Sequence, residues 1–403
     1  MYSLLLAIIY IAFISLGLPD SLLGAGWPVM HHDLDVPIAF AGLVTMIIAG
    51  GTILSSLASE RVTRRFGVGV VTAVSVGMTA AALVGFSFSD SFWMLCLWAI
   101  PYGLGAGAVD AALNNYVAVH YAARHMNWLH ACWGLGASLS PFIMSFALTA
   151  DWGWSSAYLI IGVIQAVLTF ALLISIPLWN KVNAVHPAGA EEAEDASGAP
   201  AASRTHVSLA QAIRIPGVLL ILTAFLAYCA LESTAILWAS SYLVTERGVD
   251  AATAAAFASL FLLGITAGRF LAGFFADRIG DRQMIRGGFA AVGLGALLLA
   301  LPVGTDLPAL IGLAVLGLGC APIYPAIIHS TPVNFGRRNS QAIIGIQMAA
   351  AYTGSTFAPP LFGILADVVG LWLFPLFLAV LVVLGLFMSE RLNSLVRRGG
   401  NTH

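Results

Sequence analysis

One stretch decides the fold of this chain: Gly273-Phe274-Phe275-Ala276-Asp277-Arg278-Ile279-Gly280-Asp281-Arg282. It ends an apolar run, residues 253–276, that is long enough to cross a bilayer. A carboxylate at a membrane boundary can pair with arginine and with the N-terminus of a neighbouring helix. The spacing of glycine, acid and arginine therefore predicts a gating latch formed by Asp277, Arg278 and Arg282, since anchoring by positive charge alone needs no acid.

A weaker copy lies in the first half of the chain, at Ser56-Leu57-Ala58-Ser59-Glu60-Arg61-Val62-Thr63-Arg64-Arg65. It keeps the acid-arginine pair, Glu60-Arg61, and a later arginine, but loses both glycines. The two acid-arginine pairs are offset by 217 positions. Similar offsets, 214 and 218, relate Gly103-Leu104-Gly105 to Gly317-Leu318-Gly319 and Pro141 to Pro359. The agreement indicates an internal duplication, and parallel six-span repeats around a substrate site are a known transporter plan.

Composition excludes the soluble classes of protein. The chain has 403 residues, 60% of them hydrophobic, and only 17 basic and 19 acidic residues, or 9% charged. A soluble domain carries about 25% charged residues, so a soluble enzyme and a disordered scaffold are excluded. The net charge of −2 provides no basic field for nucleic acid. The four cysteines lie far apart in apolar runs, as packing residues do.

Charged and turn-forming breaks divide the chain into twelve apolar runs, each about the length of a membrane span. They lie at residues 5–30, 38–59, 68–89, 92–118, 128–150, 155–178, 215–243, 253–276, 287–303, 308–331, 341–366 and 371–389. Residues 180–210 are small, polar and acidic, which is typical of a flexible linker. The sequence thus predicts an all-α integral membrane protein with a six-helix bundle at 1–179, a cytoplasmic linker at 180–210, and a second pseudo-symmetric six-helix bundle with a short tail at 211–403.

The basic residues predict the orientation in the membrane. With the N-terminus in the cytoplasm, 15 of the 17 lysines and arginines lie on the cytoplasmic side, as the positive-inside rule requires. Arg247 lies in an outer loop and Arg269 lies within a span. Both termini are therefore expected in the cytoplasm, in a multi-pass protein of the plasma membrane (for a bacterium, the inner membrane). The first run lacks a basic leader and is too long for a cleaved signal peptide.

Three carboxylates lie inside spans, where an ionisable group is costly and indicates function. They are Asp20 in helix 1, Asp110 in helix 4 and Glu232 in helix 7. Because Arg269 is the only basic residue in a span, we expect these acids not to be simply paired off. A carboxyl group in an apolar setting favours its protonated form, so Asp20 and Glu232 are candidates for proton coupling. Each could instead make a structural hydrogen bond, and Glu232 could bond across to a neighbouring helix.

Other polar side chains in the spans suit a hydroxyl-rich ligand. Asp110 and Asn114 share a helical face, while Asn115 lies about 140° from Asp110 around the axis. His130 and Trp133 are spaced i, i+3, so they could form a sugar-binding pair, and His130 could also relay protons. The remaining substrate-binding candidates, each of which could equally be packing, are Trp238, Tyr324, Gln347 and Tyr352.

No metal or cofactor site is expected. The cluster His31-His32-Asp33 lacks further ligands. The glycine patterns Gly103-x-Gly105-x-Gly107 and Gly134-x-Gly136 have no accompanying basic residue, so they predict close helix contacts and not phosphate loops. No nucleophile–base pair appears at membrane depth, which argues against an enzyme.

The loop stretch resembles the conserved loop motif of the major facilitator superfamily, Gly-x-x-x-Asp-Arg-x-Gly-x-Arg. Nearly the whole chain apart from the linker resembles one of its branches, the fucose/glucose/galactose–proton symporter family. The resemblance rests on these segments: Gly17-Leu18-Pro19-Asp20, Gly105-x-x-x-x-Asp110-x-x-x-Asn114, His130-x-x-Trp133-Gly134-x-Gly136, Tyr228-x-x-x-Glu232-x-x-x-x-x-Trp238, Gly317-x-Gly319-x-x-x-x-Tyr324-Pro325, and Gly354-x-x-x-x-Pro359-Pro360-x-x-Gly363-x-x-Ala366-Asp367.

The resemblance implies a role for two carboxylates. In that family a helix 1 carboxylate is tied to proton coupling and a helix 4 carboxylate to sugar binding, which correspond here to Asp20 and Asp110. The chain departs from the family's permease in two places: helix 4 has a shorter acid, Asp110, and helix 5 has a bulkier neighbour near Trp133 where the permease has a polar asparagine. Another hexose or a different small polar molecule is therefore expected in place of L-fucose.

The resemblance predicts proton-coupled symport of a small, hexose-like sugar by alternating access, by a monomer in the lipid bilayer. Sodium is the alternative coupling ion, because mammalian relatives of this type are sodium-dependent glucose carriers. A drug or metabolite efflux antiporter of the same fold is the second alternative, although Gly134-x-Gly136-x-x-x-x-Pro141 is only a loose echo of the antiporter motif. A scaffold or sensor would need a soluble domain, and the sequence offers none.

Overall fold

The computed structural model describes residues 2–37, 40–185, 209–249, 251–302 and 305–400. Within these ranges every regular element is helical. The fifteen α-helices are α1 Tyr2–Gly17, α2 Leu22–Asp33, α3 Ala41–Phe66, α4 Val68–Ser87, α5 Phe92–His120, α6 Ala123–Thr149, α7 Gly153–Val185, α8 Leu209–Arg214, α9 Val218–Arg247, α10 Ala251–Ile279, α11 Asp281–Ala300, α12 Leu307–Cys320, α13 Ile323–Phe335, α14 Arg337–Val369 and α15 Phe374–Gly400.

The helices agree with the predicted spans. Each of the twelve apolar runs coincides with one long helix or with a broken pair, α1 with α2 and α12 with α13. Ten stretches of the described chain are long and apolar enough to cross a membrane by length and composition. The all-α membrane fold is therefore confirmed.

Glycines let several helices pack backbone to backbone. A Cβ atom on Gly17 would lie 2.1 Å from the carbonyl oxygen of Trp133, and one on Gly136 would lie 2.0 Å from that of Ile14. α1 and α6 therefore cross where neither helix has a side chain. On α5, Gly103 and Gly107 meet the carbonyl oxygens of α3 in the same way. The predicted close helix contacts are thus present.

The chain forms two compact units. Unit 1 contains residues 1–119, 132–209 and 336–349, and unit 2 contains residues 120–131, 210–335 and 350–403. Two short segments therefore belong to the unit opposite the one expected from their place in the sequence. They are the start of α6 at 120–131 and the start of α14 at 336–349.

The linker predicted at 180–210 is shorter at both ends in the structure. α7 continues to Val185, and residues 209–214 form α8. Residues 186–208, which include the acidic stretch, lie outside the described residues. The division into two six-helix bundles at this linker stays a prediction.

Candidate functional site

Asp20 lies where the first span is interrupted. α1 ends at Gly17, α2 begins at Leu22, and the turn between them includes Pro19. Proline has no amide hydrogen and cannot continue the regular hydrogen bonding of α1. The turn holds the Asp20 side chain in an exposed position instead of against the next helical turn.

Two aromatic side chains of other helices donate hydrogen bonds to the Asp20 carboxylate. Tyr102 Oη on α5 donates to Oδ1 at 3.2 Å, and Trp133 Nε1 on α6 donates to Oδ2 at 2.8 Å. The glycine contact between α1 and α6 brings the backbone of Trp133 against Gly17, three residues before Asp20. The result is an exposed acid whose two oxygens both have donors. Protonation would turn one of these acceptor oxygens into a donor and disturb the arrangement.

Asp110 and Asn114 form a buried pair on one face of α5. Asn114 Nδ2 donates to Oδ1 of Asp110 at 2.8 Å and to its carbonyl oxygen at 3.0 Å. The two side chains are 5% and 0% exposed. The predicted common face is therefore observed. Asn115 points elsewhere, since its Oδ1 accepts a hydrogen bond of 2.6 Å from Ser340.

Glu232 has an ion pair, which corrects the expectation that the acids within spans are not simply paired off. Arg269 Nη2 on α10 lies 3.2 Å from Glu232 Oε1 on α9. The same nitrogen lies 3.5 Å from the hydroxyl of Tyr228. Arg269 sits five helical turns into α10, and the rotation of α10 against α9, which sequence spacing does not determine, turns it toward Glu232.

His130 and Trp133 have different partners, although their spacing suggested a joint binding pair. The His130 ring is buried and packs against the ring of Tyr324 within unit 2, with the two ring centroids 4.5 Å apart. Trp133 belongs to unit 1 and contacts Asp20. Tyr324 also packs on Phe225 at 4.6 Å. The roles of His130 and Trp133 in sugar binding stay predictions.

Three other candidates occupy packed positions. Trp238 Nε1 donates to the carbonyl oxygen of Pro359 at 3.0 Å, and its ring covers Gly363. Gln347 is completely buried, and Tyr352 is half-buried, both on α14. Trp238 therefore packs between α9 and the proline-containing part of α14. Its role in substrate binding stays a prediction.

Asp277, in the loop motif after α10, contacts an arginine and the first turn of a helix. Asp277 accepts a hydrogen bond of 3.0 Å from the backbone N–H of Arg124, in the first turn of α6, and pairs with its Nε at 3.3 Å. Gly273 leaves room for the indole of Trp128, because a Cβ there would lie 2.2 Å from Nε1. Trp128 Nε1 donates to the carbonyl oxygen of Phe270 at 3.2 Å. The motif therefore fastens the segment 120–131 to the rest of unit 2.

The remaining motif positions shape the turn between α10 and α11. Gly280 has φ +80 and ψ 151, a region that only glycine occupies readily. Asp281 pairs with His329 at 2.7 Å. Arg282 and Arg286 both contact the carboxylate of Glu390 on α15. Arg278 is exposed.

A glycine just beyond the copy after α3 has the turn conformation of Gly280. Gly67, between α3 and α4, has φ +81 and ψ 155, the same conformation as Gly280. It lies seven positions after Glu60, whereas Gly280 lies three positions after Asp277, so α3 carries about one extra helical turn. Glu60 is half-buried and Arg61 is exposed.

The start of α14 is fastened to unit 1 next to this copy. Ser340 bonds to Asn115, as noted, and Gln341 Nε2 donates to Ser59 Oγ at 3.3 Å. A Cβ on Gly345 would lie 2.7 Å from the carbonyl oxygen of Ser56. α14 therefore closely approaches the backbone of α3 at Ser56. Each unit thus holds one short segment from the other half of the sequence.

Sequence reasoning missed the partners of the candidate residues. They are Tyr102 for Asp20, Arg124 for Asp277, Ser340 for Asn115, Arg269 for Glu232 and Glu390 for Arg282. Only Arg269 carried a signal, as an arginine inside a span. Among the described residues, no group of three or more His, Cys, Asp or Glu side chains is placed to hold a metal ion.

The chain is similar to known proteins in sequence and in fold. A family model described as Major Facilitator Superfamily matches residues 9–258 and 220–397. "Bypass of stop codon protein 6" of Saccharomyces cerevisiae is 23% identical over 402 residues, covering 93% of this chain and 79% of the yeast protein. The "4-hydroxybenzoate transporter PcaK" of Acinetobacter baylyi is 23% identical over 349 residues, covering 79% and 75%. A crystal structure of the E. coli fucose:proton symporter FucP, in a variant form, superposes with a TM-score of 0.73, 15% identity and coverage of 97% and 99%.

Proposed function

The chain belongs to the Major Facilitator Superfamily, and from this premise we propose that it is a secondary transporter that couples uptake of a small, hexose-like sugar to protons by alternating access. It acts as a monomer in the plasma membrane with both termini in the cytoplasm, as the distribution of basic residues favours. This chain shares its fold with a protein named as a fucose:proton symporter, and that likeness supports both a sugar substrate and coupling to protons.

The observation that carries the proposal is the Asp20 site. An exposed carboxylate within a membrane span is costly unless it is used. Asp20 is exposed, and both of its oxygens accept hydrogen bonds from side chains of other helices, Tyr102 and Trp133. A proton that binds there weakens contacts between α1, α5 and α6. Proton binding at Asp20 is thereby linked to the packing of three helices, which is what coupling requires.

Asp110 and Asn114 are the proposed sugar ligands. A carboxylate supplies acceptors and a carboxamide supplies both donors and acceptors, which suits vicinal hydroxyl groups. In the structure these two groups satisfy each other. A sugar hydroxyl can replace this internal bond and keep both buried groups hydrogen-bonded. Binding in this way costs less free energy than binding that leaves a buried polar group without a partner. Trp133, beside Asp20, supplies an apolar face for the sugar ring.

The Asp277–Arg124 contact and the Gln341–Ser59 contact are the proposed gating latches. Each fastens a short segment, 120–131 or 336–349, to the opposite half of the sequence. We assign their release to the conformational change of the transport cycle. Because the Asp277–Arg124 ion pair is exposed, it contributes only about 0–1 kcal/mol, so this latch can open at modest cost.

Uptake into proteoliposomes tests the proposal. Wild type is expected to concentrate one labelled hexose under an inward proton gradient, and Asp20→Asn is expected to abolish accumulation while leaving exchange of sugar across the membrane. Asp33→Asn is the matched control, because Asp33 also accepts an indole hydrogen bond of 2.8 Å, from Trp154. Normal accumulation by Asp20→Asn would refute the coupling role. A sodium gradient in place of the proton gradient separates the two coupling ions.

A further inference from the structure

Unit 2 contains a second charged site, far in sequence from Asp20. The guanidinium of Arg269 and the carboxylate of Glu232 are 3.2 Å apart, and their side chains are 4% and 14% exposed. Burying two charges costs more than their attraction returns in many proteins. An arginine inside a membrane span marks a substrate or ion site by default. The pair therefore calls for an explanation beyond joining α9 to α10.

Aromatic side chains hold the guanidinium independently of Glu232. The Tyr324 ring lies 5.8 Å from the guanidinium carbon, in cation–π geometry. Tyr228 donates its hydroxyl hydrogen to the carbonyl oxygen of Cys320 at 3.0 Å, so its oxygen faces Arg269 as an acceptor. The His130 ring packs edge-on against the Tyr324 ring. These contacts keep the guanidinium in place when the carboxylate beside it changes.

We propose that Arg269 is the binding site for a carboxylate group on the transported molecule, and that Glu232 occupies this place when no substrate is bound. The proposal rests on the proposed function only in that the chain is a proton-coupled transporter. A guanidinium presents a planar set of donors that matches a carboxylate. Because Glu232 is the more exposed partner, a ligand reaches the pair from its side. Exchange of one carboxylate for another leaves Arg269 paired throughout.

Protonation of Glu232 makes the exchange possible without leaving a charge unmatched. The proton neutralises the glutamate, the guanidinium keeps its charge, and the incoming carboxylate restores a neutral site. Among the residues that the structure describes, Tyr228, Cys320, Tyr324 and His130 face the pair. None of them supplies a second carboxylate. One proton and one carboxylate enter this site together, so the Arg269–Glu232 site stays electrically neutral throughout the exchange.

Binding to the purified full-length protein in a neutral detergent tests this site separately from transport. The probes are two pairs that differ in a carboxylate, D-glucuronate with D-glucose and benzoate with benzyl alcohol. Glu232→Gln mimics the protonated glutamate, so we expect it to bind one carboxylate at least about tenfold more tightly than wild type at about pH 8. The neutral member of the pair should bind wild type and variant equally.

Glu390→Gln is the matched control, because it also removes the carboxylate of an Arg–Glu pair, one that lies outside this site. It should bind all four probes as wild type does. Arg269→Gln, or Glu232→Gln combined with Arg269→Gln if the single variant is not stable, should lose the preference for the carboxylate. A merely structural ion pair would lower thermal stability in Glu232→Gln without selective rescue by carboxylates.

The outcomes separate the two proposals. If Glu232→Gln binds neither carboxylate better than its neutral analogue, the Arg269 site is refuted, whatever the transport assay gives. If benzoate binds selectively and no sugar binds or is transported, the Arg269 site stands and the sugar function fails. If D-glucose is concentrated and no carboxylate is preferred, the sugar function stands and the Arg269 site fails.

Discussion

The indole Nε1 of Trp133 donates a 2.8 Å hydrogen bond to Oδ2 of Asp20, a residue 113 positions earlier in the chain. The contact exists because α1 and α6 cross at Gly17 and Gly136, where no Cβ keeps the backbones apart. The interruption of the first span and the glycine crossing therefore act together. The interruption exposes the Asp20 carboxylate, and the crossing brings the indole N–H of Trp133 within hydrogen-bond distance of it.

The first prediction concerns that bond. Trp133→Phe keeps an aromatic ring but removes the N–H, and a hydrogen bond to a charged group contributes about 1.5–3 kcal/mol. We expect proton-driven uptake to fall about tenfold or more. Trp154→Phe removes the equivalent bond to Asp33 and should leave the rate nearly unchanged. An equal loss in both variants would show that indole bonds to acids matter only for folding.

The second prediction concerns the glycine crossing. Gly17→Ala places a methyl group against the backbone of α6, which cannot yield as a side chain can. Overpacking costs about 1–3 kcal/mol, so the midpoint of thermal unfolding in detergent should fall, and uptake should fall with it. Gly24→Ala on α2 is the control, since nothing lies within 4 Å of a Cβ there. Similar unfolding midpoints for the two variants would contradict the crossing.

The third prediction concerns the latch at Asp277. Asp277→Asn removes the charge that faces Arg124 and the first turn of α6, an interaction of about 0.3–1 kcal/mol. We expect amide hydrogen exchange in residues 120–131 to accelerate about twofold to fivefold. Asp367→Asn changes an exposed acid on α14, outside the latch, and should not alter exchange in this segment. Unchanged exchange in Asp277→Asn would remove the latch.

The fourth prediction tests the equivalence of Gly67 and Gly280. Both have a backbone conformation that costs other residues about 1–3 kcal/mol. Gly67→Ala and Gly280→Ala should therefore lower the unfolding midpoint by similar amounts. Gly287→Ala on α11 meets nothing within 4 Å and should preserve or raise the midpoint. A strong effect at Gly280 with none at Gly67 would indicate that the two turns are not equivalent.

Features that depend on one helix at a time followed from the amino-acid sequence. The lengths of the apolar runs predicted the spans, and a spacing of four residues placed Asp110 and Asn114 on one face of α5. The motif spacing predicted that Asp277 meets both an arginine and a helix N-terminus. These properties follow from local hydrogen bonding and from the cost of exposing backbone polar groups to lipid.

The tertiary structure alone decided which helices face one another and with what rotation. It gave Glu232 its partner on α10, Asp20 its donors on α5 and α6, and Asn115 its contact with α14. It also showed that Gly67 takes the place of Gly280 after an additional helical turn. The periodicity of a helix determines the neighbours along its own surface. The partner across a helix interface depends on where small residues let two backbones approach, and that is settled only when all the helices pack together.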